Sequence, residues 1–314
     1  MNNLKKVGLT ALAGALVSVS ANAADLSVTG GASITFSGEE HTAKGNGWTM
    51  NEGVTFAASA EQDNGWNISV TQVLNSDDQA SNSVFDTRIL TVDMGDTGVL
   101  TFAGTGGSSV LNAIDDVTPT AGEESWDDVT GADAIPGGTG GSNMFHYSNS
   151  SLMDGVTVSA SYTPSNGDTE DESSSDYGIK FTGIDGLTVG AAAGEDNTAA
   201  ASIDLTNLYA TYTMDSISVG YQTSEADSET ANADKDFTAI GISYAVSEDM
   251  SVSLNSSTID YENATLSDQE AMGVSVSYTM GSMSVSANHN TVDNIAGIAT
   301  ADRSGYALTL GFAF

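Results

Sequence analysis

Strict alternation of apolar and small polar residues is the feature that most limits what this chain can become. "LSVTGGASITF" puts Leu26, Val28, Ala32, Ile34 and Phe36 on one face, and "GYALTLGFAF" does the same with Tyr306, Leu308, Leu310, Phe312 and Phe314. The pattern recurs in "GVTVSASY" (Val156, Val158, Ala160, Tyr162) and in "AMGVSVSYT" (Met272, Val274, Val276, Tyr278). The opposite face is Ser, Thr, Asn and Gly. A period of two with one apolar face describes half-buried β-strands. Helical periodicity is missing, and the glycine and β-branched content opposes it.

The connections alternate between short and long. Short ones rich in turn formers are "QDNG" (62–65), "GDTG" (95–98), "SLMDG" (151–155), "GIDG" (183–186), "TMDS" (213–216), "VSED" (246–249) and "TMGS" (279–282). Longer polar segments lie near 38–47, 75–82, 104–142, 164–175, 195–203, 224–235, 259–268 and 291–303. Seven short and eight long connections separate sixteen strands. An even set of roughly ten-residue amphipathic strands, tight turns at one end and long loops at the other, is the pattern of an outer-membrane barrel. A secreted β-sandwich also has alternating strands. It has no need to keep all its turns at one end, or to pair its first strand with its last so that no edge remains.

The start of the chain and the charge agree with export. "MNNLKKVGLTALAGALVSVSANA" carries Lys5 and Lys6, an apolar run from Val7 to Val19, and a small-x-small site at Ala21–Ala23. It reads as a signal peptide over residues 1–23, leaving 24–314 as one β domain. The apolar run is too short to span a bilayer as a helix. The formal charge is −35, from 7 basic and 42 acidic residues. Clustered bases for phosphate are absent, which excludes nucleic acid as a partner. There is no cysteine, so neither disulfides nor cysteine metal sites contribute.

Aromatic residues sort to strand ends. Tyr147, Tyr212, Tyr244, Tyr278 and Phe314 fall near the short-turn end, and Trp48, Tyr162, Tyr177 and Tyr221 near the long-loop end. Two such levels flanking an aliphatic band match the interfacial girdles of a barrel in lipid. Two charges break the pattern. Glu52 falls in the apolar parity of the second strand, and Arg88 shares parity with Leu90, Val92 and Met94. A bulge, or a flip that sends Phe85 and Ile89 to lipid, would turn Arg88 inward. The cost of about 2–4 kcal/mol for an arginine at mid-bilayer favours that.

One connection stands apart. From 104 to 142 there is no alternation, and the segment carries Asp115, Asp116, Glu123, Glu124, Asp127, Asp128 and Asp133 without a basic residue. It also holds Ile114, Val117, Trp126 and Ile135, which a purely solvated loop would not need. Long loops of this kind are functional or disordered. In a sixteen-stranded barrel the lumen is wide and aqueous, so such a loop folded inward would narrow it.

"TRILTVDMGDTGVLTFAGTGG" resembles the fourth and fifth strands of Gram-negative general diffusion porins, and "NMFHYSNSSLMDGVTVSASY" resembles the segment after their constriction loop. Each motif is loose; their order and the strand count extend the resemblance over the whole exported chain. It implies a homotrimer in the outer membrane, each subunit a water-filled pore for small hydrophilic solutes and ions. It implies that the third long loop folds inward, with the acids of 115–133 on the loop side. Arg88 matches the family's basic position on the fourth strand, and His146 falls where some members carry arginine. Lys180, between Ile179 and Phe181, points inward by parity. Phe314 matches the family's signal to the barrel assembly machinery. Most of the family's basic cluster is missing, so the pore is expected to concentrate cations.

Three other readings remain. A solute-selective porin would need aromatics along its lumen. A secreted adhesive β protein would be held by calcium at its acidic loops. Clustered carboxylates suit calcium, although "DVTGADAIPGG" lacks the spacing of an EF-hand loop. An enzyme finds no support: His41, His146 and His289 are dispersed, and no catalytic or phosphate-loop motif is present. No cofactor is implied.

Overall fold

The computed structural model describes residues 25–40, 47–75, 85–134, 140–165, 172–197 and 201–314. The expected signal peptide, His41 and Lys44 lie outside them. Sixteen strands pair antiparallel with their neighbours around a closed barrel. They are β1 (Asp25–Glu39), β2 (Gly47–Glu61), β3 (Asn67–Asn75), β4 (Thr87–Asp93), β5 (Val99–Thr105), β6 (Met144–Met153), β7 (Val156–Thr163) and β8 (Ser174–Ile184). The second half is β9 (Leu187–Asp196), β10 (Ile203–Met214), β11 (Ile217–Ser228), β12 (Lys235–Ala245), β13 (Met250–Tyr261), β14 (Gln269–Met280), β15 (Met283–Asp293) and β16 (Arg303–Ala313). No described helix is long and apolar enough to cross a membrane.

Closure is made by β1 and β16, in register from Gly31↔Ala313 to Glu39↔Gly305. Gly30 and Phe314 extend the ladder with reciprocal backbone hydrogen bonds of 2.7 and 2.8 Å. The alternation predicted the faces. Leu308 and Phe312 are exposed on the outside, whereas Ala307 on the opposite parity is buried. Thr35 and Thr309 face the lumen and hydrogen-bond to each other at 2.9 Å. The seven short turns gather at one rim. Gly155 and Gly186 take φ of +71° and +74° there, a region that glycine enters without steric cost.

The outer surface carries Trp48, Tyr162 and Tyr177 towards the long-loop rim and Tyr212, Tyr244, Tyr278 and Phe314 towards the short-turn rim, all exposed. Tyr221, expected at the long-loop end, stands near the short-turn start of β11 instead, because that strand begins at Ile217. Tyr147 also belongs to the short-turn rim, where its hydroxyl donates to the Thr97 carbonyl at 2.6 Å.

The Phe314 ring lies against Gly30: a Cβ on that glycine would sit 2.7 Å from the ring. Gly30→Val is therefore expected to cost about 1–3 kcal/mol through overpacking. Semi-native gels should show it unfolding at a lower temperature than the wild type. An unchanged transition would mean that the ring is not held at the seam.

Candidate functional site

The described part of the long segment, residues 106–134, folds into the barrel, and the wall is built to receive it. Its base is held by Asp176, a buried carboxylate on β8 that accepts the Leu111 N–H at 3.0 Å and the Ser161 hydroxyl at 2.5 Å. The Ser161 oxygen in turn accepts the Val110 N–H at 3.0 Å. The loop then runs along the inner wall across successive strands. On β10 and β11, Asn207 donates to the Ile114 carbonyl at 3.0 Å, and Gln222 donates to the carbonyls of Ile114 and Asp115 while accepting from Val117. On β13 and β15, Asn255 donates to the Pro119 carbonyl, and Asn290 to the carbonyls of Glu124 and Asp127. Gln269 on β14 brackets Asp133 through both its backbone groups. At the far end, Arg303 of β16 donates to the Thr130 carbonyl, and Glu39 of β1 accepts the Thr130 N–H.

These wall amides and hydroxyls are inward residues that a bare aqueous lumen would leave wet. Ser161, Asn207, Gln222, Asn255, Gln269 and Asn290 are all buried, because the loop covers them. Each bond to loop backbone contributes about 0.5–1.5 kcal/mol, and their number makes the path unique.

Apolar groups dock alongside. Val110 and Leu111 pack with Ala192, Leu205 and Ala226. Trp126 packs with Phe237, Ala239 and Ile259, its ring edge-on to Phe237 at 5.3 Å between centroids. Val129 packs with Ala271, Val292 and Ile295. The sequence signal for these contacts is that "DFTAIGISY" (236–244) is apolar on both parities near the long-loop end. Phe237 and Ala239 face the loop there, while Ile240 and Ile242 face outward.

With its apolar residues turned to the wall, the loop presents acids to the lumen. Asp116, Glu123 and Asp128 are exposed, and Asp115, Glu124 and Asp127 half-buried. Crowding and partial burial raise several carboxyls. Glu124 is pushed up to about 8 by burial and its hydrogen bond with Asp127. Burial and the charge of Asp116 push Asp115 up to about 6. Glu123 and Asp127 are also raised, chiefly by burial. Carboxylate oxygens of Glu123, Glu124 and Asp127 lie within 4.8 Å of one another, an oxygen set that could hold a divalent cation. Asp128 accepts from Asn288 at 2.7 Å. Asp133 stands apart from the cluster, paired to Lys235 at 2.7 Å and bonded to the Tyr261 hydroxyl at 2.9 Å.

The basic residues require one correction. Arg88 was expected on the pore wall. The β3–β4 register is unbroken and pairs Arg88 with Gln72, and Leu90 with Val70, so Arg88 sits on the outer face. A bulge does occur at Arg88, but it displaces β5, so that Arg88 opposes Thr105 while Ile89 opposes Ala103. Ile89 consequently faces inward. Glu52 pairs with Ala32 in an equally unbroken ladder and is also on the outer face. His146 pairs with Thr101 and Ser161, and Lys180 shares its face with Gly178, which touches Val110 of the loop. Both face the lumen.

The wall left bare of loop carries no charge across its middle. Its inward residues are Thr29, Gly31, Ser33 and Thr35 on β1, and Asn51, Gly53 and Thr55 on β2. Thr71 and Val73 on β3 pair with Ile89 and Thr87 on β4, and Thr101 and Ala103 follow on β5.

A closed sixteen-stranded barrel with a long loop laid across its lumen defines a porin-type β-barrel. A family model described as Gram-negative porin matches residues 8–265, and the chain belongs to that family. No curated protein matches this chain. Among solved structures, an anion-selective porin from Comamonas acidovorans aligns with a TM-score of 0.72 at 13% identity, covering 93% of this chain and 100% of that one. OmpT, an outer membrane protein of Vibrio cholerae in its trimer form, aligns with a TM-score of 0.71 at 12% identity, covering 93% and 99%. Salmonella typhi OmpF in complex with daunomycin gives a TM-score of 0.71 at 12% identity, covering 92% and 97%. At these identities the likeness is one of fold.

Two outcomes follow. Trp126→Ala should cost about 3–5 kcal/mol of loop docking and make single-channel current noisier. A quiet, unchanged current would show that the loop does not depend on this anchor. Because the folded-state pKa of Glu124 is raised, its stabilising proton is fully in place below the ordinary glutamate value of 4.5 and lost as pH rises through about 8. The wild-type unfolding temperature should thus fall from pH 5 to pH 9, and Glu124→Gln should flatten the fall. Parallel curves for the two proteins would contradict the burial of that carboxyl.

Proposed function

We propose that this outer-membrane porin conducts small hydrophilic solutes and ions by passive diffusion, with a preference for cations. One observation carries the preference: acids line the loop side of the constriction, and the facing wall is uncharged. Arg88, which would have supplied a cation there, is outside. The single sign raises the local concentration of cations and lowers that of anions. The preference expected here is opposite in sign to that named for the anion-selective structural neighbour. Size exclusion between the loop and the β1–β6 wall sets the upper limit on solutes. The protein acts as a channel and not as an enzyme, and it needs no cofactor.

The outer face supports a homotrimer, in keeping with the trimer form of a structural neighbour. Glu52, Gln72 and Arg88 lie on the outer side of β2, β3 and β4. An arginine facing lipid costs about 2–4 kcal/mol near the midplane, and a second subunit removes that cost by covering the face. The remaining outer surface, with its two aromatic levels, meets lipid. In this reading residues 1–23 are cleaved on export, and the exposed ring of Phe314 is what the assembly machinery recognises. The adhesive alternative would make the protein soluble without detergent.

Planar bilayers test the reading. Reversal potentials under a KCl gradient should carry the sign of potassium preference. Asp116→Asn, Glu123→Gln and Asp128→Asn together should roughly halve that preference. Acidification should weaken it too, as Glu124 and then Asp115 take up protons below about 8 and about 6. Chloride preference in the wild type would overturn the charge argument.

A further inference from the structure

Beneath the base of the loop, on the short-turn side, the lumen wall opens into a recess of about 340 Å³. Its floor is Lys180, His146 and Tyr209, and its roof is Val110, Ile114 and Val117 from the loop's underside. Its one fixed charge, Lys180, is opposite in sign to the acids of the constriction. Among the described residues, Lys235 and Arg303 are each paired to an acid, Asp133 and Glu39 respectively, and Arg88 and His289 share the outer face with Leu90 and Tyr306. Lys180 and His146 are therefore the lumen-facing basic groups without a described ion pair. The acid on this part of the wall, Asp176, is buried and turns both oxygens to Leu111 and Ser161.

The floor is arranged by a glycine. Lys180, Gly190 and Tyr209 occupy one rung across β8, β9 and β10. A Cβ on Gly190 would sit 2.2 Å from the Tyr209 ring and 2.7 Å from its hydroxyl oxygen. The phenol therefore lies across the bare backbone of β9, with its hydroxyl end over the cross-strand partner of Lys180. Lys180 and Tyr209 thus line the recess from the two strands that flank Gly190, and the aliphatic side chains of Val110, Ile114 and Val117 close its other side. Charge-assisted hydrogen bonds from such donors suit a carboxylate, and a mostly apolar pocket with a few convergent polar groups is the usual form of a small-molecule site.

We propose that this recess is a binding subsite for small organic carboxylates with an apolar body. It deepens the pore reading by naming a solute class, and it rests on the lumen being open to such solutes. A solute that passes the acidic constriction meets, immediately below it, a place where its carboxylate is held by Lys180 and Tyr209 and its body by Val110, Ile114 and Val117.

The probe is 4-fluorobenzoate, followed by fluorine NMR on the purified protein in detergent, with 4-fluorobenzyl alcohol as the uncharged control. The wild type should bind benzoate saturably and the alcohol far more weakly. Lys180→Met, which keeps the side chain's length, should weaken benzoate binding on the order of tenfold, and Lys180→Arg should retain it. Gly190→Val, which displaces the Tyr209 ring, should also weaken it. Equal affinity in the wild type and Lys180→Met, both confirmed folded on semi-native gels, would overturn the subsite; so would equal binding of the alcohol. Bilayer recording separates the two readings. KCl conductance without any benzoate binding sinks the subsite and leaves the pore. Saturable, Lys180-dependent binding in a protein that conducts nothing sinks the pore and leaves the subsite.

Discussion

Satisfaction of backbone hydrogen bonds is the constraint on which the rest of this structure depends. Hydrocarbon offers no partner for an N–H or C=O group, so a strand-built membrane protein must close on itself. The β1–β16 ladder, extended by Gly30 and Phe314, meets that demand from outside. The same demand recurs inside. A loop laid on the wall loses water from one side of its backbone, and buried backbone groups left unpaired are costly. Asn207, Gln222, Asn255, Gln269 and Asn290 project from successive strands to meet loop carbonyls and amides. The barrel is thus a template for its own loop.

Placement of the loop decides where charge goes. The wall takes its apolar groups, so its acids remain on the lumen side, buried enough, and crowded enough, that Glu124 and Asp115 hold protons to higher pH than ordinary carboxyls. The long-loop-side bases of the wall, Lys235 and Arg303, are spent on Asp133 and Glu39. What is left is a constriction of one sign with a single unpaired lysine, Lys180, on the wall below it.

Much of the fold was legible because alternation with a period of two leaves only one bit per residue, inward or outward. That bit set the strand count and the aromatic levels, and it put Lys180 inward beside Gly178. Parity holds even where an energy argument opposes it. Arg88 has outward parity in the sequence, and the penalty for a charge in lipid argues for turning it inward. The penalty applies to a charge in lipid, and Gln72 and Glu52 on the same side show an outer face that is locally polar, as the proposed subunit contact requires. Asp133 likewise looked like one of seven equivalent acids. Its partners Lys235 and Tyr261 are more than one hundred residues away in sequence, and nothing local marks them.

The sequence by itself determined the barrel, its sixteen strands, the exceptional segment between 104 and 142, and the acidic balance. All of these follow from patterns that repeat over neighbouring residues. The tertiary structure alone decided which wall the loop lies against, which acids stay unpaired, and that Lys180, Gly190 and Tyr209 share one rung. Those outcomes depend on register between strands and on side-chain hydrogen bonds across more than a hundred residues, and neither leaves a local mark.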